Sequence, residues 1–426
     1  MKRSNTKAIV IIGILFFVFG FVTWLGSVLI PYFKIACQLN NLESYLVAFA
    51  FYISYLVMAI PSARVLRFTG YKKGMSLGLL IMTCGALLFI PAAYQRSYLL
   101  FLAGLFVQGT GMAILQTASN PYITILGPIE SAARRISIMG ICNGIAGITA
   151  PLILGAITLR NADAIKASII SMPAIQKAAV LDDLAHRVIA PYYLMAFILA
   201  AIAILVFFSG LPELDADAED ESVASANTNK TSILQFPHLL LGVLTLFLYV
   251  GVEVIASDTI ISYGVSQGIP LSTAKFFTSC TQTCMLVGYV IGIICIPRYI
   301  SQVSVLKLSS VTGLLFVSLS LATHGISSVA FVALLGLANS LMWPSIWPLA
   351  IDSLGRFTKT GSSLLIMAVS GGALIPLLYG WLADKFSSQH AYWIVVPCYV
   401  CIWYYAKAGH KAGRTIRPDL LTLNNI

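Results

Sequence analysis

The sequence predicts an all-α membrane protein of twelve spans arranged as two related six-helix halves. Three observations predict it. Only 10% of the 426 residues are charged while 58% are hydrophobic, against about 25% and about 45–50% in soluble domains. Apolar runs long enough to cross a bilayer recur along the whole chain, each needing about 20 residues. One strongly acidic and polar segment, 212–231, interrupts them near the middle. The formal charge of +10 does not point to nucleic acid, because the bases are scattered at the ends of apolar runs.

Twelve stretches qualify as spans, at roughly 8–31, 45–66, 74–94, 98–125, 136–158, 190–210, 237–263, 274–297, 304–322, 326–351, 360–382 and 390–406. The first is too long for a signal peptide and lacks a small-residue cleavage site before the next loop. Continuous apolarity excludes a transmembrane barrel, whose strands alternate. An even number of crossings puts both termini on one side. With that side cytoplasmic, most of the 26 Lys and Arg fall in inner segments, from Lys2, Arg3 and Lys7 through Arg64, Arg67, Lys72, Lys73, Arg134 and Arg135 to Lys407, Lys411, Arg414 and Arg417. The positive-inside rule therefore predicts cytoplasmic termini.

The central segment carries Glu213, Asp215, Asp217, Glu219, Asp220 and Glu221, followed by a Ser/Ala/Asn/Thr run. It cannot bury enough apolar area to fold and reads as a flexible linker. The expected organisation is an N-terminal six-helix half at 1–210, a cytoplasmic linker at 211–236, and a C-terminal half with a short tail at 237–426. The halves look like copies. Gly147, Pro151 and Gly155 in span five recur as Gly372, Pro376 and Gly380 in span eleven, 225 positions later. Trp24-Leu25-Gly26 meets Tyr249-Val250-Gly251 at the same offset, and Gly109 meets Gly336 at 227.

Of the 16 carboxylates, those outside the linker fall in loops, at span ends or in the tail, with two exceptions. Glu253 and Asp258, both in span seven, lie inside the hydrocarbon region. A charged side chain at a helix centre costs about 2.5–3.5 kcal/mol on insertion scales, so it persists where it faces a cavity or a partner. The Lys and Arg that fall in spans lie at their ends, so no membrane-embedded base is available to pair with Glu253. A carboxyl whose charged form is disfavoured by its surroundings suits a group that loads and releases a proton, although oxygen ligation of Na⁺ is also open. The bland alternative for Glu253 is a neutral carboxyl bonded to a neighbouring helix. For Asp258, nearer the outer interface, it is a wetted acid.

Gln116, Asn120, Asn143, Gln282 and Asn339 are the mid-span amides, accompanied by Trp24, Trp343 and Trp347. Amides donate and accept, and aromatic faces suit the C–H face of a sugar, so the set fits a small neutral polyhydroxylated ligand. An anion would call for intramembrane Arg or Lys. The competing role for each amide is helix–helix bonding, worth about 0.6 kcal/mol. Cys280/Cys284 and Cys398/Cys401 lie in apolar helices without companion His, so no metal site is expected. There is no P-loop for ATP phosphates and no Ser/His/Asp constellation, so no cofactor and no enzyme activity are expected. A membrane-embedded transferase would have only Glu130, Arg134 and Arg135 to work with. A receptor would usually add a soluble signalling domain.

The stretch from Leu115 to Pro128, reading LQTASNPYITILGP, resembles the span-four signature of the fucose–proton symporter family. Leu29-Ile30-Pro31-Tyr32-Phe33, Gly361-Ser362-Ser363 and Gly371-Gly372 are similar to that family's first and eleventh spans, and the likeness runs from about Gly20 to about Asp384. Within the family the chain looks most like the glucose/galactose branch. The resemblance implies the major facilitator fold, whose substrate site lies between the halves near the midplane, and cation-coupled uptake of a hexose or fucose through a bacterial inner membrane. H⁺ is the expected coupling ion, with Na⁺ the alternative, and a monomer is expected. An uncoupled facilitator or an exporter is the competing reading.

The family's two functional acids fall on Ser27 and Gln116 here, and neither acid is present. Its sugar-binding Asn of span five matches Asn143, and a span-seven Gln aligns with Glu253. The loop Arg67-Phe68-Thr69-Gly70-Tyr71-Lys72-Lys73 looks like a degenerate superfamily gating motif without its Asp. Sequence therefore nominates Asn143, Gln116, Asn339, Trp343, Gln282, Asn120 and Trp24 for sugar, and Glu253 with Asp258 for the cation.

Overall fold

Residues 2–125, 132–211, 231–296, 299–352, 354 and 357–413 are described by the computed structural model. Most of the linker lies outside them. So do Glu130, the side chains of Arg134 and Arg135, and the end of the span-four motif.

The described residues form helices that group into twelve crossings, and they contain no strand. Span one runs as Lys2–Trp24 and Gly26–Ala36, broken at Leu25. Spans two and three form one helical path, Asn41–Tyr94, turned at Gly70, whose φ of 72° is open to glycine at little cost. Spans four and five are Tyr98–Ile125 and Ala132–Thr158. Two short helices, Ala162–Ser168 and Ala174–His186, lead to span six, Ile189–Phe208. Span seven is Pro237–Asp258 continued by Ile260–Ser266. Spans eight and nine are Phe277–Cys295 and Gln302–Ala322. Span ten is Gly325–Asn339 with Met342–Ile351, and span eleven is Thr358–Met367 joined through a 3₁₀ turn to Gly371–Lys385. Span twelve is Val395–Lys407, entered through the 3₁₀ stretch His390–Ile394.

The repeated glycines have a physical explanation in helix packing. Lipid tails are as apolar as the helices, so association relies on close backbone approach at small residues. A Cβ on Gly109 would lie 2.3 Å from the carbonyl of Phe51 in span two. A Cβ on Gly336 would lie 2.2 Å from the carbonyl of Thr281 in span eight. Spans four and ten thus use the same glycine to seat against equivalent helices of their own halves. Gly147 and Gly372 do the same at the seam between halves: the first makes room for Trp24 and Gln282, the second for Tyr52. Span five packs on span eight and span eleven on span two, with span one touching span seven at the centre.

On the face away from the termini, called distal here, the halves are tied by two carboxylates in a reciprocal arrangement. Asp163, beyond the end of span five, accepts hydrogen bonds from the backbone N–H groups of Leu271 and Ser272, both at 2.9 Å. Asp384, in the last turn of span eleven, accepts from Asn41 N–H at 3.1 Å, Leu42 N–H at 2.7 Å and the Asn41 side-chain amide at 2.6 Å. Asn40 and Glu43 close a capping box on the same helix start, so Asp384 takes up the N–H groups the box leaves over. Each half therefore lends a carboxylate to a helix start of the other, and these bonds tie the halves together on the distal face. Among the described residues, span four packs closely on no span of the C-terminal half.

These latches are partly hydrated, so a modest effect is expected of each. Partial burial disfavours the Asp163 anion, but the N–H donors of Ser272 and Leu271 outweigh it and hold this carboxyl below the usual range. A lowered value means the latch contributes fully above the ordinary carboxylate range and is lost as pH falls through the lowered one. The Asp163→Asn, Asp384→Asn pair should raise the population open at the distal face by about three- to tenfold near neutral pH. Distance measurements between spin labels on the distal loops would show it. An unchanged distribution would mean the latches are decorative.

Candidate functional site

Span seven supplies the acids, and its two carboxyls differ more than their spacing suggests. Five residues place them about 7.5 Å apart along the axis and about 140° apart around it. Glu253 is half-buried, and Oε1 accepts a 2.8 Å hydrogen bond from the Tyr249 hydroxyl one turn earlier. The Tyr249 ring lies 6.4 Å from that of Trp343, which stacks on Trp347 at 5.5 Å with the planes 20° apart. Tyr289 of span eight and Tyr399 of span twelve lie within electrostatic reach of Glu253. Glu253 therefore sits among phenols and indoles, with no basic side chain in an ion pair with it among the described residues.

Asp258 is only 1% exposed, unlike the wetted acid that its position in sequence left open. Gly26 of span one explains the difference: a Cβ there would sit 2.9 Å from Asp258 Oδ2. The missing side chain lets span seven press its acid into the N-terminal half. Both carboxyl oxygens lack a hydrogen-bond partner.

The nominated amides fall into two groups. Asn143, half-buried on span five, accepts from Trp24 Nε1 at 3.4 Å and donates to the Phe16 carbonyl at 3.5 Å. Gln282 is fully buried and donates to Ser257 Oγ at 3.0 Å, leaving its Oε1 without a partner. Gly147 touches both Trp24 and Gln282, so spans one, five and eight meet around these polar atoms, with span seven contributing Ser257. Gln116 and Asn120, one turn apart on the same face of span four, are both half-buried. Asn339 is different: it is 1% exposed and accepts from Tyr399 OH at 2.8 Å, with its Nδ2 unpartnered. Its bond is between spans ten and twelve, the helix–helix role weighed for every amide.

Tyr249, Tyr289, Tyr399 and Ser257 were not nominated from sequence. The i, i+4 spacing of Tyr249 and Glu253 was a usable signal. The other three are brought to the site only by packing between helices. Among the described residues no group of three or more His, Cys, Asp and Glu comes together in a way that could hold a metal ion.

Residues 12–375 match the Major Facilitator Superfamily. The chain belongs to that superfamily. A glucose/galactose transporter of Brucella abortus is 33% identical over 96% of this chain and 96% of its own. The L-fucose-proton symporter of Escherichia coli K12 is 29% identical over 95% and 94% respectively. The crystal structure of the superfamily transporter FucP in its outward conformation superimposes with a TM-score of 0.74 at 28% identity, covering 95% of this chain and 99% of that one. The superfamily assignment and the twelve crossings agree with the expectation from sequence, and the chain is a transporter.

Proposed function

We propose that this protein is a proton-coupled importer of a neutral monosaccharide, a hexose or fucose, working by alternating access in a bacterial inner membrane with both termini cytoplasmic. The observation that carries the reading is Glu253, a mid-span carboxyl bonded to Tyr249 beside the Trp343–Trp347 pair. A titratable group and aromatic sugar platforms share one wall of the site between the halves. The names of the relatives at 33% and 29% identity support a sugar substrate, and the second supports H⁺ rather than Na⁺.

In this reading Asn143, Gln116, Asn120, Trp24 and Gln282 bind sugar from the N-terminal half and span eight. Trp343 stacks on its C–H face, and Asn339 holds span ten in place from behind. The excess of Lys and Arg that the sequence puts on the side of the termini supports this orientation. The distal face, where the two carboxylates tie the halves, is then the periplasmic one.

Two measurements on the purified protein test this. A thermal-shift panel of hexoses and fucose identifies the ligand, because binding to the folded state raises the melting temperature by mass action. Uptake of that sugar into proteoliposomes under imposed pH, Na⁺ or no gradients identifies the coupling. Accumulation driven by the pH gradient alone supports the reading. Equilibration without accumulation under every gradient would make the protein a facilitator, and accumulation driven by Na⁺ would replace the proton.

A further inference from the structure

Asp258 makes no side-chain hydrogen bond, yet it sits where span seven meets the N-terminal half. The cavity beside it holds about 10 Å³, near the lower limit for one water. Apart from Asp258 its walls come from the N-terminal half, with Thr23 and Gly26 of span one, Phe51 and Tyr52 of span two, and Leu105 of span four among them. The titratable groups that face Asp258 are Tyr45 and Tyr52 of span two and Glu253 of its own helix. Spans one and four present none, and no described Lys, Arg or His pairs with it.

A carboxylate in such a cavity would be a buried charge with neither a cation nor a hydrogen-bond donor, costing several kcal/mol. Neutralisation by a proton removes that cost. The cavity exists only while span seven lies against spans one and two, because its lining joins Asp258 to Gly26 and Tyr52. Parting of the halves at the distal face would hydrate Asp258 and let it ionise.

We propose that Asp258 is the proton-loading group of the distal gate: the gate closes only when this carboxyl has taken a proton from the distal side. The proposal rests on the proton-coupled reading above and divides its labour. Asp258 admits the proton as the gate shuts, and Glu253, half-buried and about 7.5 Å along the same helix, faces the site that opens on the opposite side. No bond other than the carboxyl O–H is made or broken. The sugar enters before closure, so an acidic distal solution favours its capture.

The test is sugar counterflow in proteoliposomes with D-galactose and L-fucose as probes, the pH being equal on both sides so that no gradient acts. For the native protein the apparent KM on the distal side should rise steeply above the Asp258 transition, approaching tenfold per pH unit. Asp258→Asn presents a permanently neutral side chain and should flatten the profile to within about twofold while exchange continues. Asp258→Glu keeps a titrating group in altered surroundings and should retain the slope with a displaced midpoint. A native slope in Asp258→Asn would overturn the proposal. If that variant does not fold, Asp258→Glu decides, and an undisplaced midpoint overturns it. Glu253→Gln in the same assay separates the two readings: it should keep the slope of counterflow yet lose gradient-driven accumulation. A flat native profile with intact accumulation would sink the role of Asp258 alone.

Discussion

Glu253→Gln should abolish concentrative uptake while leaving sugar exchange running. The substitution keeps the shape and the acceptor that Tyr249 bonds at 2.8 Å, so folding and sugar binding should persist. What it removes is the capacity to carry a proton. A pH difference supplies about 1.4 kcal/mol per unit for each proton moved, and a membrane potential adds about 2.3 kcal/mol per 100 mV. One proton per sugar at one unit and 100 mV therefore supports accumulation of a few hundredfold. The variant should fall to equilibration, with an inside-to-outside ratio of about one, and counterflow should stay within about threefold of native. The measurement is steady-state sugar content of proteoliposomes with and without an imposed gradient. Accumulation that survives would reduce the Glu253–Tyr249 pair to an intrahelical contact and move the coupling elsewhere.

Glu253 stands out by the scarcity of charge around it, for a reason specific to membranes. Scarcity isolates a functional acid when every other carboxylate can be assigned to a loop, an end or a linker. The same scarcity could not rank Glu253 against Asp258. Their burial depends on what span one presents, and Gly26 is silent in a list of charges. Glycine was informative in another way. The repeat of Gly147 and Gly372, or of Gly109 and Gly336, marks backbone approaches that only a residue without a side chain permits, so the internal symmetry of the fold was written in the chain. The distal latches were not. Asp163 and Asp384 look like ordinary loop acids, and four of their five partners are backbone N–H groups more than 100 and 340 residues away, which carry no side-chain signature. Tyr289 and Tyr399 were hidden for a related reason, since tyrosine is frequent in apolar helices and only packing shows which ones turn toward the acid.

Those unseen contacts also redistribute the amides, and Asn143→Ala is the substitution that separates a sugar ligand from structural glue. Asn143 holds Trp24 Nε1 at 3.4 Å and the Phe16 carbonyl at 3.5 Å, both at the long limit of a useful hydrogen bond. Bonds that long add little between helices, where even good ones average about 0.6 kcal/mol. An amide held loosely, half-buried beside the site, is free to exchange those partners for sugar hydroxyls. Its removal would leave a desolvated hydroxyl unpaired, costing about 1–3 kcal/mol, or about 5- to 150-fold in sugar affinity. The melting temperature without sugar should fall by no more than a few degrees, since a fraction of a kcal/mol is at stake. Asn339→Ala offers the contrast. Its 2.8 Å bond from Tyr399 is buried, so stability should suffer first, with sugar affinity changing by less than about threefold. Calorimetric or thermal-shift titration of both variants with the sugar found by the panel reads out affinity and stability together. The converse pattern, with stability lost at Asn143 and affinity lost at Asn339, would assign sugar contact to span ten and a scaffolding role to span five.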